Sequence, residues 1–572
     1  MGDPADSRNA FSFARAVELD ERDEYPEQAC DLLDDWGLNH YYIPKECAGE
    51  LDSYPELIAL LRLVARRDVT LLVAYIKSFL GAAPVWVAGN AEQKQRLAAA
   101  IKSRKQIALA YHEKPHGSDM LANEVSATQS GTGYLLSGEK WLVNNATRSS
   151  AMTLFARTDE RGGPRGFSLF LVEKDALDSS SYKHLPRLKT HGVRGAEFSG
   201  IRFNDAFVAA DAHVGPIGSG LETSLLGFQV TRTIVPSISL GAADTALRAT
   251  MSFALNRKLY GDSVFAIPHA RDTLVGAFLD LLICDCLAIS TARALHAATG
   301  QMRLWSSLAK YYIPTATQRL IDNLSVILGA RYYLREGHWS GIFQKIVRDN
   351  AVVSLFHAGT FLNLITVAIH LKYLADHPSK AEVHDAEQVK ASLESIFSLE
   401  KPLAAFDPKR LSISSRGRDD VTQGLALSLD RIRSINDRNT EPEVIDSIAR
   451  LSTELLHEIS DEPEAWKSMA AIHGPGFDES PEMFELAKRH CALHAAAACV
   501  HTWVHNRSAL GGFFAGGEWL ALCLDRLLNR NESRSQSTAS HVARVASELE
   551  RLTREDKLFS IVPLQLAGSR AA

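Results

Sequence analysis

The stretch I-A-L-A-Y-H-E-K-P-H-G-S-D-M (residues 107–120), followed by G-Y-L-L-S-G-E-K-W-L-V-N-N (residues 133–145), marks where one structural periodicity gives way to another. Pro115 and Gly117 make the end of the first segment a loop. Tyr134 to Val143 alternate as a strand does, broken at Ser137 and Gly138. That break reads as a hairpin, with Gly131 and Gly133 in the turn before it. A Gly-Ser-Asp loop running into a strand that carries Trp141 offers backbone N–H groups and an aromatic face together, which suits a planar, phosphate-bearing ligand.

Upstream, residues 15–105 repeat apolar side chains every three or four positions, as amphipathic helices do. Downstream, short alternating strands such as Met152 to Arg157 and Gly166 to Glu173 continue to about Gly218, and long helical patterns then run to about Ala375. A polar segment, D-H-P-S-K (376–380), opens a further helical stretch interrupted at residues 414–420, 473–478 and 531–540. The expected organisation is therefore four units: helices over 1–106, strands over 107–218, helices over 219–375, and a helical extension over 376–572. The fold class is α+β, mostly α.

A chain of 572 residues can bury more than one core, and its net charge of −6 leaves no basic block to hold nucleic acid or an anionic membrane. The polar N-terminus lacks the order of a signal peptide, and no run of about 18 uninterrupted apolar residues marks a bilayer span. Seven scattered cysteines, with only Cys284 and Cys286 close together, agree with a reducing cytoplasm. In the Ala-rich helix expected over Pro481 to Arg507, His490, His494, His501 and His505 fall within about 60° of one face and spread over about 22 Å. They read as a packed, hydrogen-bonded stripe, and no metal is assigned to the chain.

His112 to Asp119 resembles the flavin loop of the acyl-CoA dehydrogenase family, T-E-P-x-x-G-S-D, and Trp141 to Asn144 resembles its W-I-T-N strand. Further along, Gly192-Val193-Arg194 is similar to the family's G-x-R segment and Arg257-Lys258-Leu259-Tyr260-Gly261 to its R-K-x-F-G. The matches run from about residue 15 to 375 and include relatives from natural-product pathways. The resemblance implies an N-terminal helical domain, a small β barrel or sandwich and a C-terminal four-helix-bundle-type domain, with FAD between the last two. It places His112, Gly117, Ser118, Trp141, Val143 and Asn144 on the cofactor, and it places Arg257 and Gly329 on the FAD of a neighbouring subunit. An Arg suits that task because its planar fork makes paired contacts to phosphate. It also implies an acyl thioester substrate on coenzyme A or an acyl carrier protein, an electron-acceptor protein or oxygen, and a homo-oligomer. The long extension points to a dimer, because longer relatives use extra helices to cover the surface where two dimers meet.

Several family positions are altered. The first Thr of the flavin loop is His112, the W-I-T hydroxyl is lost at Val143, and Val326 stands where a Gln precedes I-L-G-G. The usual base is a Glu in R-D-x-x-x-x-x-I-Y-E-G-T. Ungapped counting from Arg348-Asp349 puts His357, after Phe356, at that place, and a one-residue insertion would put Ala358 there. A second place for the Glu, before the Arg of the helix opening the C-terminal domain, holds Thr231 before Arg232. The expected substrate contacts are Thr231, Arg232 and Phe356. The expected reaction is α,β-dehydrogenation with His357 as base, since a neutral imidazole is competent for proton abstraction. Two alternatives remain open: a flavin monooxygenase on the same fold, and a base-less partner subunit that binds acyl thioester.

Overall fold

The structure, a computed structural model, describes residues 1–356, 359–377, 386–436, 440–528 and 536–566. Local chemistry sets the first helices. Ser53 Oγ caps Tyr54–Ala65 by accepting from the Glu56 N–H at 3.3 Å, with Pro55 in the first turn. Asn90 and Gln93 form a reciprocal capping box at the start of Ala91–Lys102. The stretches Val69–Ala88 and Pro268–Ala297 have the length and hydropathy of a membrane span, yet 78% and 83% of their most apolar windows are buried inside the fold. Their apolar faces are spent on the core.

The middle of the chain forms eight strands: β1 (Ile107–Ala110), β2 (Ser126–Ser130), β3 (Gly133–Asn144), β4 (Ala151–Arg157), β5 (Phe167–Glu173), β6 (Tyr182–Leu185), β7 (Phe198–Ala209) and β8 (His213–Val214). They pair in the order β6-β7-β3-β2-β4-β5-β8, with β1 parallel to β4. Alternation decides the layers. Ala108, Leu136, Met152, Leu154 and Phe170 enclose the sheet's own core, while Ile107, Phe155, Phe167 and Leu169 face the helices. Gly81 lets the helix Lys77–Ala88 lie against β1, because a Cβ there would meet Ala108 O at 2.7 Å.

One sequence expectation is corrected here. Ser137 and Gly138 do not turn the chain: β3 runs through them as one strand, and the register against β7 shifts between Leu136 and Gly138, a bulge. Gly138 takes a φ of +119° there, and the hairpin turn lies earlier, at Gly131 and Thr132.

Gly220–Ile234, Pro236–Asn256, Pro268–Ala297, Met302–Leu328 and Ile342–Leu355 make the helical layer behind the sheet. The extension adds Pro442–His473, Pro481–Leu510, Glu518–Leu528 and Gln536–Arg554, whose buried side chains join the same contiguous core. Ala495 to Ala498 are fully buried, small enough for Pro481–Leu510 to lie close against Pro268–Ala297. The chain then returns to its beginning. Phe559 donates its N–H to Asp244 at 2.9 Å and accepts from Arg62 at 2.7 Å, while Ser560 and Ile561 donate to Asp285 at 2.6 and 2.9 Å. Residues 378–385 and 529–535, with most of the expected polar linker and the start of the Ser-rich interruption, lie outside the described residues.

Candidate active site

Glu113 and Lys140 fasten the loop that follows β1 to the strand beside it. Glu113 accepts from Lys140 Nζ at 2.8 Å and from the N–H groups of Glu124 and Val125 at 2.7 and 3.0 Å. Trp141 donates its N–H to His112 O at 2.9 Å, closing the junction. Burial works to raise the Glu113 pKa, but the Lys140 charge and the two N–H groups outweigh it and hold it below the ordinary carboxylate value. Burial pulls Lys140 down to about 8 despite Glu113. Removing one partner of a buried pair costs about 3–5 kcal/mol, so Lys140→Met is expected to lower the thermal midpoint by several degrees and to loosen flavin retention. Calorimetry and the flavin absorbance of gel-filtered protein check this, and an unchanged midpoint with full flavin would refute it.

On this junction His112 is half-buried, and burial, with Lys140 and Lys77 adding to it, lowers its pKa to about 4, so the ring is neutral. Gly117 and Ser118 are exposed on the loop, and Gly117 takes a φ of +54° with open space where a Cβ would point. Past Trp141 the register shifts again, Leu142 takes a φ of +57°, and Val143 turns into the β-domain core. Asn144 and Asn145 donate to Val73 O and Ala74 O at 3.3 and 2.8 Å, tying the strand end to the first helical layer.

Between these layers lies an apolar cavity of about 30 Å³ lined by Val73, Lys77, Phe198, Val235, Val353 and Phe356, among others. Phe356 packs on Phe198 at 5.3 Å. Lys77 is in the cavity wall, and two more cations, Lys310 and Arg232, stand behind it. Lys310 is fully buried and donates to Val353 O and, at 3.2 Å, to Phe356 O; burial, then Arg232 and Lys77, lower its pKa to about 7. Burial lowers half-buried Lys77 to about 8, and burial and Arg303 lower Arg232 to about 9. Among the described residues none of Lys77, Lys310 and Arg232 is ion-paired to a carboxylate, and Arg232 Nε has no hydrogen-bond partner. Burying unpaired cations is costly, so this wall suits an anionic ligand.

Arg348 and Asp349 hold the helix that ends at this cavity. Asp349 accepts from Val193 N at 2.6 Å and from Lys345 at 2.5 Å, and Arg348 donates to Asp20 at 2.6 Å. Gly192 permits the contact, since a Cβ there would meet Arg348 O at 2.5 Å.

The expected site residues are thus partly gathered. His112, Trp141 and Asn144 share the loop–strand junction, and Phe356 lines the cavity. Thr231 and Arg232 are buried but do not line that cavity. The Thr231 hydroxyl donates to Gly227 O and Phe228 O, and Arg232 reaches Ser307 at 3.2 Å and lies over the Phe228 ring. Arg257 is exposed where Pro236–Asn256 ends, beside the fully exposed Tyr260. Gly329, also exposed, ends Met302–Leu328 with a φ of +57°. His357 and Ala358 lie outside the described residues. Reading the sequence missed Lys77, Lys310 and the Glu113–Lys140 pair. Only Glu113 carried a signal, as a member of the loop motif; the lysines sit in helices and a strand whose patterns carry no mark of burial.

Comparison with known proteins agrees with this arrangement. The family profile described as "Acyl-CoA dehydrogenase, N-terminal domain" matches residues 11–105, the middle domain 108–206 and the C-terminal domain 218–360. A probable acyl-CoA dehydrogenase of Mycobacterium tuberculosis, FadE25, is 28% identical over 60% of this chain and 86% of its own. Butyryl-CoA dehydrogenase from Megasphaera elsdenii shares the fold with a TM-score of 0.58 at 19% identity, over 62% of this chain and 94% of that one. The prolyl acyl carrier protein oxidase AnaB does so with 0.59 at 20% identity, over 64% and 97%. The residues present fit FAD, the cofactor of these proteins: an exposed loop with open space at Gly117, a strand carrying Trp141 beside it, and cations that among the described residues have no carboxylate partner. The chain belongs to the acyl-CoA dehydrogenase family of FAD-dependent flavoenzymes, with a long helical extension of its own.

Proposed function

We propose that the protein oxidises an acyl thioester, held on coenzyme A or an acyl carrier protein, to the trans-2-enoyl thioester, with His357 taking the α-proton while the β-hydrogen leaves with its electron pair. FAD, when bound, supplies the acceptor for that hydride. The observation that carries the reading is an apolar cavity with Lys77 in its wall and, behind the wall, Lys310 on the carbonyls of Val353 and Phe356, with Arg232 close enough to lower the Lys310 pKa. As the α-proton leaves, negative charge grows on the thioester oxygen, and preformed positive charge in a water-poor pocket favours that change. Lys310, by holding the carbonyls of Val353 and Phe356, orients the chain just before His357. With about 30 Å³ of free space, the cavity admits an acyl chain only if a wall residue such as Phe356 turns aside.

The likeness to AnaB supports a carrier-bound substrate, and the likeness to FadE25 a coenzyme A thioester. Anaerobic titration of the flavin with both kinds of thioester tests the reading. Bleaching by one kind identifies the carrier, and no bleaching by either removes the dehydrogenase assignment. Electrons then pass to an acceptor protein or to oxygen. The cysteines, all free and buried, agree with the reducing cytoplasm in which we place the protein.

We assign Arg257 and Gly329 to the FAD diphosphate of a second copy in a homodimer; their exposure on the surface supports this. Arg257→Ala should then lose FAD on dialysis while keeping twice the chain mass by light scattering. Full FAD retention contradicts the role of Arg257, and four times the chain mass contradicts the dimer.

A further inference from the structure

The histidine stripe of Pro481–Leu510 divides into two unlike pairs. His501 is closed as a ligand, since Nδ1 bonds Ser428 Oγ at 2.7 Å and Nε2 bonds Val421 O at 2.8 Å. His505 is next to the Arg431 guanidinium, at 3.3 Å. His490 and His494 instead converge on Asp419, which caps the short helix Asp420–Gln423 within the extension. His494 Nδ1 is 3.0 Å and His490 Nε2 3.9 Å from Asp419 Oδ2. All three residues are buried, and their candidate ligand atoms lie within 4.8 Å of one another.

Two further facts point to a missing partner. His490 Nε2, aimed at Asp419, has no hydrogen bond, although His490 is fully buried and its Nδ1 bonds Glu462 at 2.9 Å. His370, on Thr360–Asp376, lies with its ring 5.5 Å from that of His490. Its Nδ1 bonds Ser415 Oγ at 3.1 Å, and its buried Nε2 has no partner. A carboxylate on one imidazole nitrogen with the other nitrogen free is the arrangement that orients a metal ligand and raises its basicity. In a tetrahedral zinc site the ligand atoms stand about 3.3 Å apart, and 3.0 and 3.9 Å bracket that spacing.

We propose that Asp419, His490 and His494 form a binding site for a divalent zinc-class cation, with His370 Nε2 or a water in the fourth position and Glu462 behind His490. Asp419 is already anionic in character. It accepts from Trp305 Nε1 and Val421 N on Oδ1, at 2.9 and 3.3 Å, and from Thr422 Oγ1 on Oδ2 at 2.7 Å. A solvent cavity of about 330 Å³, which His370 lines, provides the way in; Arg303, Lys372 and Arg416 also line it and slow entry without closing it. Imidazole and carboxylate donors suit zinc, nickel or cobalt over magnesium and calcium. The site joins Thr360–Asp376, the 411–419 connection and two helices of the extension, so its role is structural.

Untagged full-length protein, stripped with a chelator and equilibrated with micromolar Zn²⁺, should retain about one equivalent by mass spectrometry, with a higher thermal midpoint, and Co²⁺ in its place should give visible ligand-field bands. His494→Gln and His490→Gln should each fall below about one tenth of an equivalent, whereas His505→Gln, on the same helix, keeps the full one. Wild-type protein that takes up no metal overturns the proposal whatever the variants do, leaving a proton-bridged network. So does metal retained by both His490 and His494 variants.

Discussion

Replacing His357 by alanine is expected to slow flavin reduction by an acyl thioester about 10²- to 10⁴-fold, the range for losing a positioned base, while FAD content stays that of the wild type. The reasoning rests on what surrounds the cavity. Lys77 lines it, Lys310 and Arg232 stand behind it, and by ungapped counting the two places where the family carries its Glu fall on His357, or Ala358 with a one-residue insertion, and on Thr231. Thr231 cannot substitute, because a neutral alcohol is too weak a base to take an α-proton. The wild-type rate should fall as pH drops through the imidazole range, since only the neutral ring accepts a proton. A His357→Ala enzyme with the wild-type rate ends the assignment. If no thioester reduces the wild-type flavin but NAD(P)H or a reductase supports oxygen-dependent turnover, the monooxygenase alternative replaces it. A flavin silent under both regimes indicates the non-catalytic partner.

Ending the chain after Ala375 should abolish soluble protein altogether. Shorter relatives are complete near that point, but here Pro268–Ala297 and Thr360–Asp376 pack against Pro481–Leu510, and Trp305 gives its Nε1 to Asp419 and its ring edge to His494. Truncation bares that apolar face. It also removes the donors that Phe559, Ser560 and Ile561 supply to Asp244 and Asp285, at about 1–3 kcal/mol for each buried acceptor left short. Soluble fraction and FAD content after expression of residues 1–375 measure the effect. A monodisperse yellow fragment would show that the extension is dispensable.

What could be read without coordinates was what local pattern encodes. The change of period at Ile107, the strands at Met152 and Gly166, and the long Ala-rich helix all reappear within a few residues. Ser137-Gly138 misled because Gly with φ > 0 serves a bulge as readily as a turn, and only the partner strand β7 decides between them. The flavin loop was recognisable, yet the pair that anchors it was not: Lys140 looks like any strand lysine until Glu113 is seen 2.8 Å away. Likewise His490 and His494 lie on one helix face by arithmetic alone, but Asp419, 75 residues before His494, enters only through the fold.

The bond between Arg62 and Phe559 closes a span of 497 residues. At about 5–20 residues per second of synthesis, roughly 25 to 100 s separate the appearance of the two partners at the ribosome. From their own synthesis until residues 559–561 are made, 315 and 276 residues later, Asp244 and Asp285 lack the donors that this segment supplies. The earlier helices therefore wait, incompletely satisfied, for residues 559–561. For this chain, native assembly waits for the synthesis of residues 559–561, and exposure to chaperones grows with the length of the extension.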